Sequence, residues 1–475
     1  MSAHETHHQD PEDEEDDAMF DPAEADEEIP EDEDAHMDSD EEAEADTSAT
    51  MEEIQLENDS VAHFDAHKDS IFCIAQHPIH PEIVATGGGD DCGYIFDSTP
   101  PDRPVLPSSY QSNPQPIERE SLPALHKLEG HTDSLNAITF TLPKGLDGKL
   151  RVWHDPSGSG RQWSFLGEAA EVDEINWLIP CPHPAHPNTV ALGANDNSVW
   201  VYTINAADAS SPLTIVQAFY LHTGPCTAGA WTPDGKLLAT VSEDSSLYVW
   251  DVFGEAAAAG LASAQSGSPS VVALTDADER FKVEGGLFSV AVAPNGTFAA
   301  VGGAEGHIRI LDPSSKKGAG SKGKAGGAKQ AGGAAASPGQ AGALLASFQA
   351  QADSVETLAF SPPPLTLLAA GNVDGTIALF DSAHRFAVRR HIRDAHDEEA
   401  VIKVEFVRSQ GAGGWLLTSC GNDGVVRRWD TRGGTAAAAQ GLVGEWKGHR
   451  GGGEGGGVMG FVQGGGQYVV TAGDE

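Results

Sequence analysis

His4-Glu5-Thr6-His7-His8 has the H-E-x-x-H spacing by which a buried helix offers two imidazoles to zinc and a carboxylate to the metal-bound water. Here the motif stands among acids, with no apolar helix and no third ligand, so no catalysis is expected from it. Gly318 to Ala325 combines a G-x-G-x-x-G spacing with a Walker A outline, whose amides would cradle phosphate. Ala325 fills the place of the magnesium-binding hydroxyl and no apolar helix follows, so a linker is expected. His77 with His80, and Cys181 with His183 and His186, show ligand-like spacing, but each group sits in a Pro-rich turn between strands and is expected to do turn chemistry. No G-x-S-x-G elbow occurs, the five cysteines are far apart, and the expectation is a protein without catalytic site, cofactor, structural metal or disulfide.

A second set of residues suits structure. His67, His131 and His449 precede apolar strands. With Thr86, Thr240 or Ser419, a turn aspartate and the Trp of a later strand, they can form buried hydrogen-bond chains. Trp153, Trp250, Asp251, Asp374, Asp423, Trp429 and Asp430 belong to this expected framework.

The elements that must position these residues repeat. Tyr94-Ile95-Phe96-Asp97, Leu150 to Trp153, Val199 to Tyr202, Leu247 to Asp251, Ile308 to Asp312, Ile377 to Asp381 and Val425 to Asp430 are alternating apolar strands closing on an aromatic residue, an aspartate or both. Turns containing Asp precede most of them, as in Asp374-Gly375 and Asp423-Gly424, a strong hairpin signal. Eight units are read, at 61–99, 122–155, 161–204, 213–251, 278–312, 344–381, 385–430 and 442–475, with low-complexity inserts at 99–123, 254–270 and 313–342 that are too poor in large apolar residues to pack. In the second unit Phe140 and Trp153 are only 13 residues apart, against 20 between Phe360 and Phe380, so its middle strand is expected to be missing. The last unit stops before its third strand, beside which the segment near Ser60 to Phe64 would close the ring. Both defects point to an incomplete chain, an expectation that mass spectrometry of the native protein tests.

Charge narrows the partner. The 475 residues carry a formal net charge of -44, and residues 1–60 hold 27 Asp or Glu with no Lys or Arg, the composition of a disordered acidic tail. Such a chain repels phosphate backbones and anionic lipid, so neither direct nucleic-acid nor membrane binding is expected; a basic protein is the expected partner. The N-terminal stretch has no signal-peptide character, and a monomer in the cytoplasm, and also the nucleus, is expected, with Lys316, Lys317, Lys322, Lys324 and Lys329 in a solvated linker.

Units of about 40 to 45 residues with four strands, bearing Gly130-His131, Trp250-Asp251, Trp429-Asp430 and Gly448-His449, resemble the WD-repeat β-propeller. The resemblance implies an all-β fold of eight blades over residues 61–475. In a propeller the loop before each innermost strand and the turn between its second and third strands emerge on one face. Those positions hold Asp69, Asp91, Asp133, Asp173, Glu174, Glu243, Glu305, Asp353, Glu356, Asp397, Glu398 and Glu399. They are expected to form an acidic face that grips a Lys/Arg-rich segment.

The acidic tail before Val61 to Ile74, the run Ala85 to Asp91, and the unusual third unit, with Glu171 to Leu178, His183-Pro184 and Val190 to Trp200, resemble the fungal ribosome-assembly WD-repeat chaperone family, related to the animal angio-associated migratory cell protein. That resemblance implies a dedicated chaperone that captures the basic large-subunit ribosomal protein L-ten/uL-sixteen and delivers it to the 60S subunit. A histone-binding protein or a signalling scaffold are the competing readings.

Overall fold

The computed structural model describes residues 58–100, 121–141, 144–147, 150–172, 174–208, 210–259, 270–314, 342–408, 412–433, 441–451 and 456–474. The acidic segment with its His4 to His8 motif, the Gly318 to Ala325 stretch with the neighbouring lysines, and Asp173 lie outside these residues. Among the described residues, thirty strands form seven antiparallel four-stranded sheets and one two-stranded sheet, and helix is confined to single turns. The fold is an all-β propeller.

The innermost strands are Ile71–Gln76, Thr139–Thr141, Ile175–Pro180, Cys226–Trp231, Leu287–Val292, Val355–Phe360, Val401–Phe406 and Val458–Val462, and each packs beside the next. The last of them returns to pack beside Ile71–Gln76. Within a sheet the order follows the chain, and the fourth strand comes from the start of the next sequence unit, as when Ala124–Leu128 pairs with Gly93–Asp97. Each unit therefore clasps its predecessor.

Burial explains the residue types. Second strands such as Ile83–Gly88, Thr189–Ala194 and Leu367–Asn372 are buried along their whole length because a neighbouring sheet covers either face, so they read as continuous apolar and small residues. Outer strands such as Leu344–Gln349 alternate half-buried and exposed positions. The cores lie between sheets: Leu237, Val241 and Val249 of the fourth meet Leu287, Val301 and Leu311 of the fifth.

Three expectations need correction. The second unit does have a middle strand, Lys144–Asp147, which pairs with Thr139–Thr141 on one side and Leu150–His154 on the other. The four residues of this strand are enough for a short ladder on each edge. The insert at 254–270 does pack in part. Asp251 accepts the backbone N–H groups of Ala256 and Ala257 and starts a one-turn helix, Glu255–Ala258, whose Ala256 is fully buried. The β-branched Val271 and Val272 then lie in an outer strand, Ser270–Leu274, that sequence reading left out.

Among the described residues the Ser60 to Phe64 segment forms no ladder with the two-stranded eighth sheet, although Phe64 packs in a cluster with its Val462 and Val470. At one end Asp59 exchanges hydrogen bonds with the backbone of Lys447, in the outer strand of the seventh sheet. At the other, His63 forms a parallel bridge with Ser121, and Phe64 stacks on Phe96 of the first sheet at 4.2 Å between ring centres. The segment thus runs from the seventh sheet, past the eighth, to the first.

Candidate functional site

A bulge recurs where the chain enters the innermost strands. The pairing register skips one residue between Ile71 and Cys73, Cys226 and Ala228, Leu287 and Ser289, Val355 and Thr357, Val401 and Lys403, and Val458 and Gly460. Bulges re-aim the skipped side chain. Thr227 uses its place to donate to the Leu287 carbonyl of the next sheet, at 2.7 Å. In the sixth sheet the skipped residue is Glu356.

The loops leading into these strands carry most of the expected acids. Asp69, Asp133 and Asp353 share one geometry, in which a carboxylate oxygen accepts the N–H of the following serine at 2.7–2.8 Å. That bond fixes the loop, and all three residues are exposed. Glu174 accepts from the amides of Asn136 at 3.3 Å and Asn195 at 3.1 Å, tying the second and third sheets together. Asp91 and Glu305 hold left-handed turns, with φ of 57° and 53°. Glu243 is exposed, and its backbone abuts Gly286 of the fifth sheet so closely that a methyl there would come within 2.9 Å of the Glu243 carbonyl oxygen. Glu398 and Glu399 lie over the Asp374-Gly375 turn of the sixth sheet in the same manner. The loops of neighbouring sheets therefore touch, and their acids share one end of the ring.

Compensation is sparse. Among the described residues of this set only Asp397 pairs with Arg or Lys, its Oδ2 lying 3.2 Å from Nη2 of Arg427. Asp397 therefore serves the fold as well. Burial, and then the neighbouring Asp353, push the Glu356 carboxyl above its ordinary range. A cation brought beside Glu356 favours the charged form, so binding of a basic segment should expel the proton that Glu356 holds at mildly acidic pH. Affinity is expected to rise with pH just above the ordinary carboxylate range, and Glu356→Gln to flatten that rise in a binding titration run at several pH values. An unchanged slope would mean that Glu356 does not meet the partner.

The structural residues divide into two groups. In the first sheet His67 donates to Asp90 at 3.0 Å and accepts from Thr86 at 2.9 Å. In the seventh, His396 bridges Asp423 and Ser419, both at 2.8 Å, and Trp429 donates to the same Ser419. In the fourth, His222 bridges Ser246 and Thr240, and Trp250 donates to Thr240. These chains satisfy polar groups inside the sheet sandwich and tie the acid-bearing loop to the second and third strands. His222 and His396 escaped the sequence reading; their signal, shared with His67, was position, four or five residues before an innermost strand. His131 packs against Trp153 at 5.9 Å, and His449 meets Thr471 at 2.8 Å. Asp251, Asp374 and Asp430 stand apart from the buried chains: Asp251 caps a helical turn, Asp374 accepts from Thr376, and Asp430 holds Arg432.

The turns read as Pro-rich punctuation do turn work. His77 Nδ1 accepts the N–H groups of Ile79 and His80, and His183 Nδ1 accepts that of Ala185. The structure adds what spacing did not show, Glu255 beside both His183 and His186.

Comparison with known proteins agrees with this geometry. The WD domain, G-beta repeat family matches residues 58–97, 213–251 and 342–381. The chain is 51% identical to Sqt1 of Chaetomium thermophilum, solved bound to the N-terminus of the ribosomal protein L10; the match covers 88% of this chain and 98% of that one, with a TM-score of 0.73. It is 30% identical to a WD repeat-containing protein of Schizosaccharomyces pombe, over 82% of this chain and 79% of that protein. It is also 32% identical to the ribosome assembly protein SQT1 of Saccharomyces cerevisiae, over 42% of this chain and 43% of that protein.

Proposed function

We propose that this chain, which belongs to the WD-repeat family that includes fungal Sqt1, is a chaperone of ribosomal protein L10 that holds the N-terminal segment of its client and delivers it to the assembling large subunit. The observation that carries the proposal is the 51% identity, over 98% of its length, to the Sqt1 solved with that segment of L10. The chemistry of the acid-bearing loops fits it. Ten of the acids expected on this face have no Lys or Arg partner among the described residues, so they attract a basic segment without first giving up an internal salt bridge. In this reading the eight sheets are eight blades, the last reduced to two strands. The protein is a monomeric binding protein rather than an enzyme, needs no cofactor, and works in the cytoplasm and also in the nucleus.

Charge reversal tests it. Exposed ion pairs contribute about 0.2–1 kcal/mol each, so Asp353→Lys with Glu398→Lys, which also adds repulsion, should weaken an L10 N-terminal peptide roughly tenfold or more in fluorescence anisotropy. Asp397 is the wrong residue to reverse, because a lysine there would face Arg427. The wild-type affinity should fall as salt rises. Equal affinity for wild type and double variant at low salt would remove this face as the binding site.

A further inference from the structure

At the opposite end of the ring, where the loops joining first to second and third to fourth strands emerge, three side chains converge from two neighbouring sheets. His183 and His186 stand in the loop between Ile175–Pro180 and Thr189–Ala194 of the third sheet. Glu255 opens the helical turn Glu255–Ala258 after the third strand of the fourth. His183 Nε2 lies 3.0 Å from one carboxylate oxygen of Glu255, and His186 Nε2 lies 3.3 Å from the other. The ligand atoms of all three lie within 4.8 Å of one another. With bonds of about 2.0–2.2 Å from zinc to imidazole nitrogen and carboxylate oxygen, tetrahedral ligands stand roughly 3.3–3.5 Å apart, close to the two histidine–Glu255 separations.

The side chains are also held in place. The His186 ring stacks on Phe253 with 3.7 Å between centres and an interplanar angle of 4°. The 232–237 turn of the fourth sheet presses on His183, since a methyl on Gly235 would come within 2.6 Å of its Cβ. Glu255 is fixed by the Asp251 cap and by the burial of Ala256 next to it. Preset imidazoles and a carboxylate from separate elements differ from a solvated surface cluster, in which ligands must first be ordered.

We propose that His183, His186 and Glu255 form a binding site for a transition-metal ion of the zinc type, which joins the third and fourth sheets on the face away from the acidic loops. Two imidazoles and one carboxylate suit zinc and leave at least one position open to water, whereas magnesium and calcium prefer all-oxygen sets. Two features oppose binding and set its terms. Lys236 Nζ, 3.9 Å from Glu255, must swing away. His183 Nδ1 accepts the Ala185 N–H, so the neutral ring carries its proton on Nε2. Coordination moves that proton to Nδ1, and Ala185, which is exposed, turns its N–H to water.

The test is zinc titration of the full chain against a chromophoric chelator, for wild type, for Glu255→Gln, for His183→Gln, and for a His4→Ala, His7→Ala, His8→Ala variant that removes the competing histidines of the acidic segment. One site is expected to survive in the triple variant and to weaken at least about tenfold in each of the other two. Zinc should raise the thermal midpoint of the wild type and the triple variant but not of Glu255→Gln, while all have similar midpoints in excess chelator. Unchanged affinity in Glu255→Gln and His183→Gln, or loss of all binding in the triple variant, would overturn the proposal.

Discussion

Arg427→Met is expected to cost about 3–5 kcal/mol, the range found when one partner of a buried ion pair is removed and the other remains. Arg427 is 7% exposed. It donates to Asp423, to Glu445 at 2.8 Å, to the exposed Asp397 at 3.2 Å and to the Ala395 carbonyl at 3.0 Å. Methionine fills similar volume but leaves the charge of Asp423, itself nearly buried, with only His396 and the backbone N–H of Val425 as partners. The check is urea unfolding followed by tryptophan fluorescence, read as a midpoint shift at constant slope. A loss below about 1 kcal/mol would mean that water reaches Asp423.

Acid should narrow the difference. Burial raises the Asp423 carboxyl, but His396 and Arg427 outweigh burial and hold it below the ordinary range. A carboxyl depressed on folding contributes stability that is present above its unfolded value and lost as pH falls through its folded one. The gap between Arg427→Met and wild type should therefore be widest near neutrality and shrink below about pH 4, where carboxylates of the unfolded chain take up protons.

Trp177→Ala is the second large effect, again about 3–5 kcal/mol for emptying a buried indole. The ring of Trp177 is wedged between two glycines. A methyl on Gly193, its partner across the third sheet, would come 2.3 Å from the indole, and so would a methyl on Gly229 in the innermost strand of the fourth. Neither side can yield, so Gly229→Ala alone should cost about 1–3 kcal/mol by overpacking. Combining Gly229→Ala with Trp177→Phe should cost less than the two changes summed, because the smaller ring makes room for the methyl. Strict additivity in unfolding measurements would show that the wedge relaxes freely.

The same residues show what the sequence could and could not reveal. Trp177 stood out as a departure from the generic repeat, but its glycine sockets lie 16 residues away in its own sheet and 52 away in the next, and only the packed sheets bring them together. The third strands were legible because an alternating apolar pattern closing on Asp or an aromatic residue has one physical meaning, a ladder with a buried face. Ser270–Leu274 was not, since it follows low-complexity sequence and gains its partner only from the preceding unit. Lys144–Asp147 was lost by counting residues where pairing, rather than length, decides. That most of the expected acids sit in loops was legible because charge and turn position are both written in the chain, whereas Glu356, expected in a loop, lies within the strand Val355–Phe360. The pairing of Asp397 with Arg427 was not legible, because 30 residues separate them. Glu255 is 69 residues from His186 and lies in what reads as a linker, so no spacing rule could have joined them.

The clasp at the ring's seam has a consequence for the order of events during synthesis. Asp59 and Lys447 are 388 residues apart, and Ser70 and Asp474, which also share a hydrogen bond, are 404 apart. Contacts of such separation form late, because long loops are closed at an entropic cost before they are rewarded. Translation at about 5–20 residues per second then leaves the first innermost strand waiting roughly 20–80 seconds for the far side of its seam. Throughout that interval Ile71–Gln76 lacks its neighbour Val458–Val462, and a newly made copy nearby offers the same unpaired surface. Crowded polysomes are therefore the setting in which this ring is most exposed to joining the wrong chain.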